Sequence, residues 1–129
     1  MQKIIKFYIL LSVLILTLLS CDPAYEIEWK VINNTDKNIS IYLKTWQDSI
    51  EQFNSLSPHL TLFLLNEPNF GTVKSCIEDT KFTPFQKLRI LNSKGDSIKK
   101  DISLIKNWKV RNIKDEIAEY TLKINADDF

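Results

Sequence analysis

Ala118-Glu119-Tyr120-Thr121-Leu122-Lys123-Ile124 decides the fold. Ala118, Tyr120, Leu122 and Ile124 fall on one side of an extended chain. Glu119, Thr121 and Lys123 fall on the other. A period of two is that of a strand with one buried and one wet face. Glu26-Ile27-Glu28-Trp29-Lys30-Val31 repeats the pattern, with Ile27, Trp29 and Val31 on the apolar side. So does the run in which Ile39, Ile41 and Leu43 oppose Ser40, Tyr42 and Lys44. Between these last two runs lies Asn33-Asn34-Thr35-Asp36-Lys37-Asn38, a cluster of turn formers. Two alternating runs around such a turn predict a hairpin.

The remaining chain has the same punctuation. Gln47 to Pro58 reads as a polar, irregular loop. His59 to Leu65 is nearly all apolar, which fits a strand buried on both sides or an inner sandwich strand. Asn66 to Gly71, with Pro68, reads as a loop. Residues 72–86 read as a crossover loop with at most a turn or two of helix. Ser75-Cys76-Ile77-Glu78 has capping-box spacing there, and Pro84 would stop such a helix. Lys87 to Leu91 and Ser97 to Lys100 flank Asn92-Ser93-Lys94-Gly95-Asp96, a second predicted hairpin in which Gly95 accepts positive φ without cost. Asp101 to Trp108 fits no single pattern, and Asn112 to Asp115 reads as a polar turn. Six or seven short strands predict an all-β fold, a small antiparallel β-sandwich. An immunoglobulin-like shape is compatible, although the Cys…Trp…Cys signature is absent. A small β-barrel is the alternative.

The start of the chain has another character. Met1 to Lys6 carries Lys3 and Lys6, Phe7 to Leu19 is almost wholly apolar, and Leu18-Leu19-Ser20-Cys21 follows. A basic start, a short apolar run and a small residue before a cleavage site form a secretory signal. The apolar run is shorter than the roughly 20 residues a membrane span needs. Leu18, Ser20 and Cys21 resemble the lipobox of bacterial lipoproteins. That resemblance implies cleavage between Ser20 and Cys21 and lipid attachment at Cys21. The expected organisation is a signal peptide over 1–20, a lipidated tether over 21–26 and one β-domain over 27–129.

Composition narrows the function. Removal of residues 1–20 takes away Lys3 and Lys6 and no acidic residue, so 17 basic residues fall to 15 against 16 acidic ones, a net charge of −1. Such a balance offers no basic stripe for nucleic acid. With Cys21 lipidated, Cys76 is the only thiol and no disulfide framework is available. Cys76 reads as a small buried hydrophobe.

No catalytic motif stands out. His59 is the only histidine, and no His/Cys/carboxylate cluster has metal-ligand spacing. Two glycines, Gly71 and Gly95, build neither a P-loop nor a dinucleotide fingerprint. Asp127-Asp128 lacks the rest of a calcium loop. The expectation is a chain that is not an enzyme and has no cofactor or metal. A small hydrolase using His59 or Cys76 is the rival. Tyr42 and Trp46, four apart, fall on the same face of the second strand and are candidates for stacking on sugar rings.

Tyr25, Asn33-Asn34-Thr35-Asp36, Asn107-Trp108 and the closing Tyr120…Ile124…Asp128-Phe129, with the richness in Ile, Lys and Asn, are similar to small single-domain lipoproteins of Bacteroidetes. The resemblance implies a lipid-anchored envelope protein, on the outer membrane and in part surface-exposed. Asp22, Glu26 and Glu28 match only part of the acidic export signal of that group. The expected partners are the membrane, through the N-terminal lipid, and a glycan or an envelope protein. An inhibitor or immunity lipoprotein is the alternative.

Overall fold

A computed structural model describes residues 24–70, 83–114 and 116–129. The signal peptide, Ser20, Cys21, Cys76 and the capping box at 75–78 lie outside the described residues. Seven strands form: β1 (Ala24–Asn33), β2 (Ile39–Thr45), β3 (Gln52–Leu56), β4 (Thr61–Phe70), β5 (Phe85–Leu91), β6 (Lys109–Lys114) and β7 (Ile117–Ile124). They make one sheet in the order β4-β1-β7-β6 and a second in the order β3-β2-β5. Both sheets have open edges, so the barrel alternative is not formed. The only helical pieces among the described residues are two single 3-10 turns, Ile105–Asn107 and Ala126–Asp128.

The period-two residues supply the core. Ile27, Trp29, Val31, Tyr120, Leu122 and Ile124 of the first sheet face Ile39, Ile41, Leu43, Leu56, Phe85 and Ile90 of the second. Trp29 lies at the centre. Its ring stacks on Tyr120 and meets Phe85 and Trp108 edge-on at 5.5 and 5.2 Å. These rings come from both sheets and from the loop that bridges them. Burial of four large aromatics is the main apolar contribution at this level of the sandwich.

The structure corrects several expectations. The β1–β2 hairpin does not form. β1 belongs to the first sheet and β2 to the second, and the Asn34–Asn38 segment crosses between them. The reason is Asn33, which is fully buried rather than a solvated turn residue. Its Nδ2 donates to the carbonyls of Lys37 (2.8 Å) and Leu56 (2.9 Å). Its Oδ1 accepts from the Thr35 N–H (3.1 Å) and the Thr35 hydroxyl (2.8 Å). Those four bonds exhaust the amide's capacity and join strand ends from both sheets.

Pairing is not wholly antiparallel. β1 and β7, the first and last strands, lie side by side and parallel, with Trp29 opposite Tyr120. The other strand pairs are antiparallel.

Asn66 to Asn69 is not a loop. These residues continue β4, where Glu26 pairs with Pro68 and Glu28 with Asn66. β4 is an edge strand, so Pro68 removes no ladder donor that a neighbour needs. β4 is also not buried on both sides: Leu62 and Leu65 pack against the core, while Phe63 points outward. A register shift opposite Trp29 and Lys30 turns both Leu62 and Leu65 inward, opposite Val31 and Trp29.

The polar stretch 47–58 contains β3, an edge strand whose Leu56 faces the core while Phe53 and Ser55 face solvent. Asn112 and Ile113 belong to β6 rather than to a turn. The second hairpin is reduced to one bridge, Leu91 with Ser97, closed by Gly95 at φ +88°. Strand β1 begins at Ala24, so residues 24–26, expected in the tether, are already part of a central strand.

The two ends of the sandwich differ. Strands β1 and β7 start at one end, where the Glu26 N–H donates to the Glu116 carbonyl. They finish at the other, where the Asn34 N–H donates to the Ile124 carbonyl and Asn34 Nδ2 to Asn125 Oδ1. Asp128, considered above for calcium, accepts the Asn125 N–H and pairs with Lys100 at 2.7 Å. Its role is to pin the C-terminus.

Candidate binding face

The outer face of the β3-β2-β5 sheet carries a row of side chains set by strand register. Phe53 of β3, Tyr42 of β2 and Arg89 of β5 are direct cross-strand partners. Two inter-strand spacings make the row about 10 Å wide. Tyr42 and Phe53 meet at a centroid distance of 5.1 Å with planes tilted by 48°. The Arg89 guanidinium lies 4.7 Å from the Tyr42 ring centre, a cation–π geometry. Phe53 remains 57% exposed, so one aromatic face is open and a second is capped by a cation.

Charges flank the row. Glu51 pairs with Lys87 at 3.1 Å and with Arg89 at 3.2 Å. The Lys87 hydrogen bond and both positive charges outweigh desolvation and hold the Glu51 carboxyl below its ordinary value. The same interactions orient Arg89 across Tyr42. On the next outward row, Ser40 pairs with Ser55 and adds two hydroxyls. An apolar ring edged by guanidinium, carboxylate and hydroxyls can stack on a sugar ring and hydrogen-bond its hydroxyls.

The structure separates the two aromatics picked from sequence. Tyr42 is half-buried within the row. Trp46 is not on that face, because β2 ends at Thr45. The Thr45 N–H and hydroxyl both donate to the Asp48 carboxylate, at 3.1 and 2.8 Å, and fold residues 45–48 into a tight turn. Trp46 projects from this turn, 74% exposed. It edges a cleft of about 270 Å³ at the end of the sandwich, with Leu65, Pro68 and Pro84. The partner of Tyr42 is Phe53, which sequence reasoning overlooked. The signal was there: Phe53 and Ser55 alternate with Asn54 and Leu56.

Other candidates fall elsewhere. His59 sits in the turn before β4 at φ +60°, with its N–H donating to the Asn33 carbonyl at 2.7 Å. Its ring lies 3.6 Å from the exposed Asp36 carboxylate. Among the described residues no group of three or more His, Cys, Asp and Glu side chains could hold a metal ion. Cys76 and Cys21 lie outside the described residues. A second cleft, of about 370 Å³, opens at the far end among Asp36, Lys37, Asn92, Lys94, Asp96 and Phe129. Among the described residues no helix is long and apolar enough to cross a membrane.

Compared with protein families, with curated proteins and with solved structures, the chain matches none.

Proposed function

We propose that this protein is a lipid-anchored, non-catalytic binding module of the bacterial cell envelope, and that it takes a glycan on the outer face of the β3-β2-β5 sheet. The observation that carries the binding face is the Phe53–Tyr42–Arg89 row. An exposed phenyl ring beside a cation-capped tyrosine is costly to leave in water and is positioned by register rather than by a loop. The anchor is carried by the sequence Leu18-Leu19-Ser20-Cys21 after a basic and apolar leader. Three acyl chains, as carried by fully processed lipoproteins of this type, exceed the two membrane signals that stable attachment takes.

The glycan is bound through stacking on Phe53 and hydrogen bonds from Arg89 and Lys87. The basic groups on that face, Lys44, Lys87 and Arg89, outnumber Glu51, so a polysaccharide carrying carboxylates is favoured over a neutral one. Native electrophoresis through gels containing soluble neutral or uronic-acid polysaccharides tests this reading. Retardation by an acidic polysaccharide, weakened about three- to tenfold by Phe53→Ala, is expected from the loss of one stacking contact. Migration of the wild type unaltered by every polysaccharide overturns the glycan assignment.

A further inference from the structure

We infer that the end of the sandwich from which Ala24 emerges is a membrane-contact rim, where Trp46 and Ile50 enter the interfacial layer of the bilayer. The inference rests on the lipid anchor proposed above. It adds a second, non-covalent attachment that fixes the orientation of the domain.

The argument is one of reach. Strand β1 begins at Ala24, and only Asp22 and Pro23 separate it from Cys21. Three residue steps span at most about 11 Å even when fully extended. The start of β1 is therefore held at the membrane surface, not on a long stalk. β1 is also a central strand, bonded on both sides by β4 and β7, so the whole sandwich follows its position.

Trp46 lies at that same end. It shares a cleft with Pro68, and Pro68 pairs with Glu26, two residues from the start of β1. Ile50 lies in the same β2–β3 connection. At 74% and 77% these two are the most exposed large apolar side chains among the described residues. The Asp48-braced turn presents the indole outward rather than letting it fold back on the core. Tryptophan, with an apolar body and one N–H donor, favours the membrane–water boundary. Neither side chain would bind a bilayer firmly alone. On a short tether the contact becomes intramolecular, and a weak contact is then populated.

Among the described residues the charge at the rim is acidic on balance: Lys44 and Lys87 stand beside Asp48 and Glu51, with Glu26 and Glu67 on the other sheet and Glu116 just before β7. No attraction to anionic headgroups is implied, and phosphatidylcholine is the appropriate surface. With the rim down, strands β1 and β7 run away from the membrane. The sugar-binding row then stands on the side of the domain, and the far-end cleft points outward.

The three tryptophans make the rim measurable. Trp29 and Trp108 are 1% and 4% exposed inside the sandwich, so Trp46 is the indole that lipid can reach. The full lipidated protein is reconstituted into phosphatidylcholine vesicles with brominated acyl chains, and tryptophan emission is compared with that on unbrominated vesicles. A partial loss of emission is expected for the wild type. Trp46→Phe should abolish it, and Ile50→Lys should reduce it. Flotation of the protein with the vesicles, without quenching by brominated lipid, overturns the rim and leaves the anchor standing. So does a Trp46 shielded from aqueous acrylamide but not quenched by lipid, which would place a protein partner there. Wild type that does not float overturns the anchor and the rim with it.

Discussion

Trp29 and Tyr120 are direct neighbours across the parallel β1–β7 pair, and their rings stack 4.2 Å apart at an interplanar angle of 14°. The pair joins the first strand of the domain to the last. The two are about 90 residues apart in sequence, and Trp29 also meets the rings of Phe85 and Trp108 edge-on. The domain's overall stability is expected to be about 5–15 kcal/mol, so this cluster is a large share of it.

Trp29→Ala should therefore cost about 3–5 kcal/mol, a clear fall in the unfolding midpoint. Trp29→Phe should cost less. The indole Nε1 is buried without an acceptor among the described residues, and phenylalanine removes that unmet donor. Urea unfolding of both variants, followed by far-UV circular dichroism, measures the two midpoints. Equal losses would contradict the reading that ring area governs this site.

Asn33 is the second point at which one side chain joins both sheets. Asn33→Ala leaves the Leu56 carbonyl and the Thr35 N–H without the partners they have at 2.9 and 3.1 Å. A loss of about 3 kcal/mol is expected, the cost of unmet buried polar groups. Asn33→Asp should be worse, since it replaces the amide donor with a carboxylate facing two carbonyls. A thermal melt in which Asn33→Asp matches the wild type would contradict this account of the crossover.

Lys30 lies on the outer face of the first sheet, 2.5 Å from Glu119 and 2.9 Å from Glu28. Desolvation alone would raise the Glu119 carboxyl, but the Lys30 hydrogen bond and charge outweigh it and lower its pKa. The lysine is raised by the same partners against its own desolvation. Stability from the carboxylate is present above its unfolded value of about 4.3 and is lost as pH falls through the lowered folded value. Stability from the lysine is present below about 10.4 and is lost as pH rises through the raised value. Denaturation midpoints should be flat between these limits and fall on either side. Glu119→Gln should flatten part of the acid limb, because Asp48, Glu51 and Asp101 are lowered too, and part of the alkaline limb, because Glu28 alone then raises Lys30.

How far the fold was legible follows from these particulars. Strands β1, β2 and β7 alternate because each buries one face, so period two was visible residue by residue. Their arrangement was not. Periodicity does not say whether two inward faces lie side by side or face each other, and the Asn-rich turn between β1 and β2 favoured the wrong choice. Asn33 has the composition of a turn and the burial of a core residue, and only its four partners distinguish them. The tail of β4 and all of β3 were hidden because edge strands tolerate polar residues and proline. The loss of β3 also hid Phe53, so Tyr42 was matched with Trp46 on spacing alone. The parallel β1–β7 pairing joins residues about 90 apart and leaves no local signature.

The Phe53–Tyr42–Arg89 row has its own check within the sheet. Arg89→Ala removes the cation over Tyr42 and one arm of the Glu51 pair, but the Arg89 side chain is about half exposed, at 47%. Its effect on stability should be below about 1 kcal/mol, while retardation by an acidic polysaccharide should weaken several-fold. Loss of both fold and binding would assign Arg89 to structure instead.

The claim on which the account rests most heavily is that Cys21 carries lipid. Cells producing the full chain, wild type or Cys21→Ala, are fed an alkyne analogue of palmitate, and the protein is isolated and its label read. The account predicts label on the wild type, recovered with membranes, and none on Cys21→Ala. Label retained by the variant, or absent from the wild type, would contradict it.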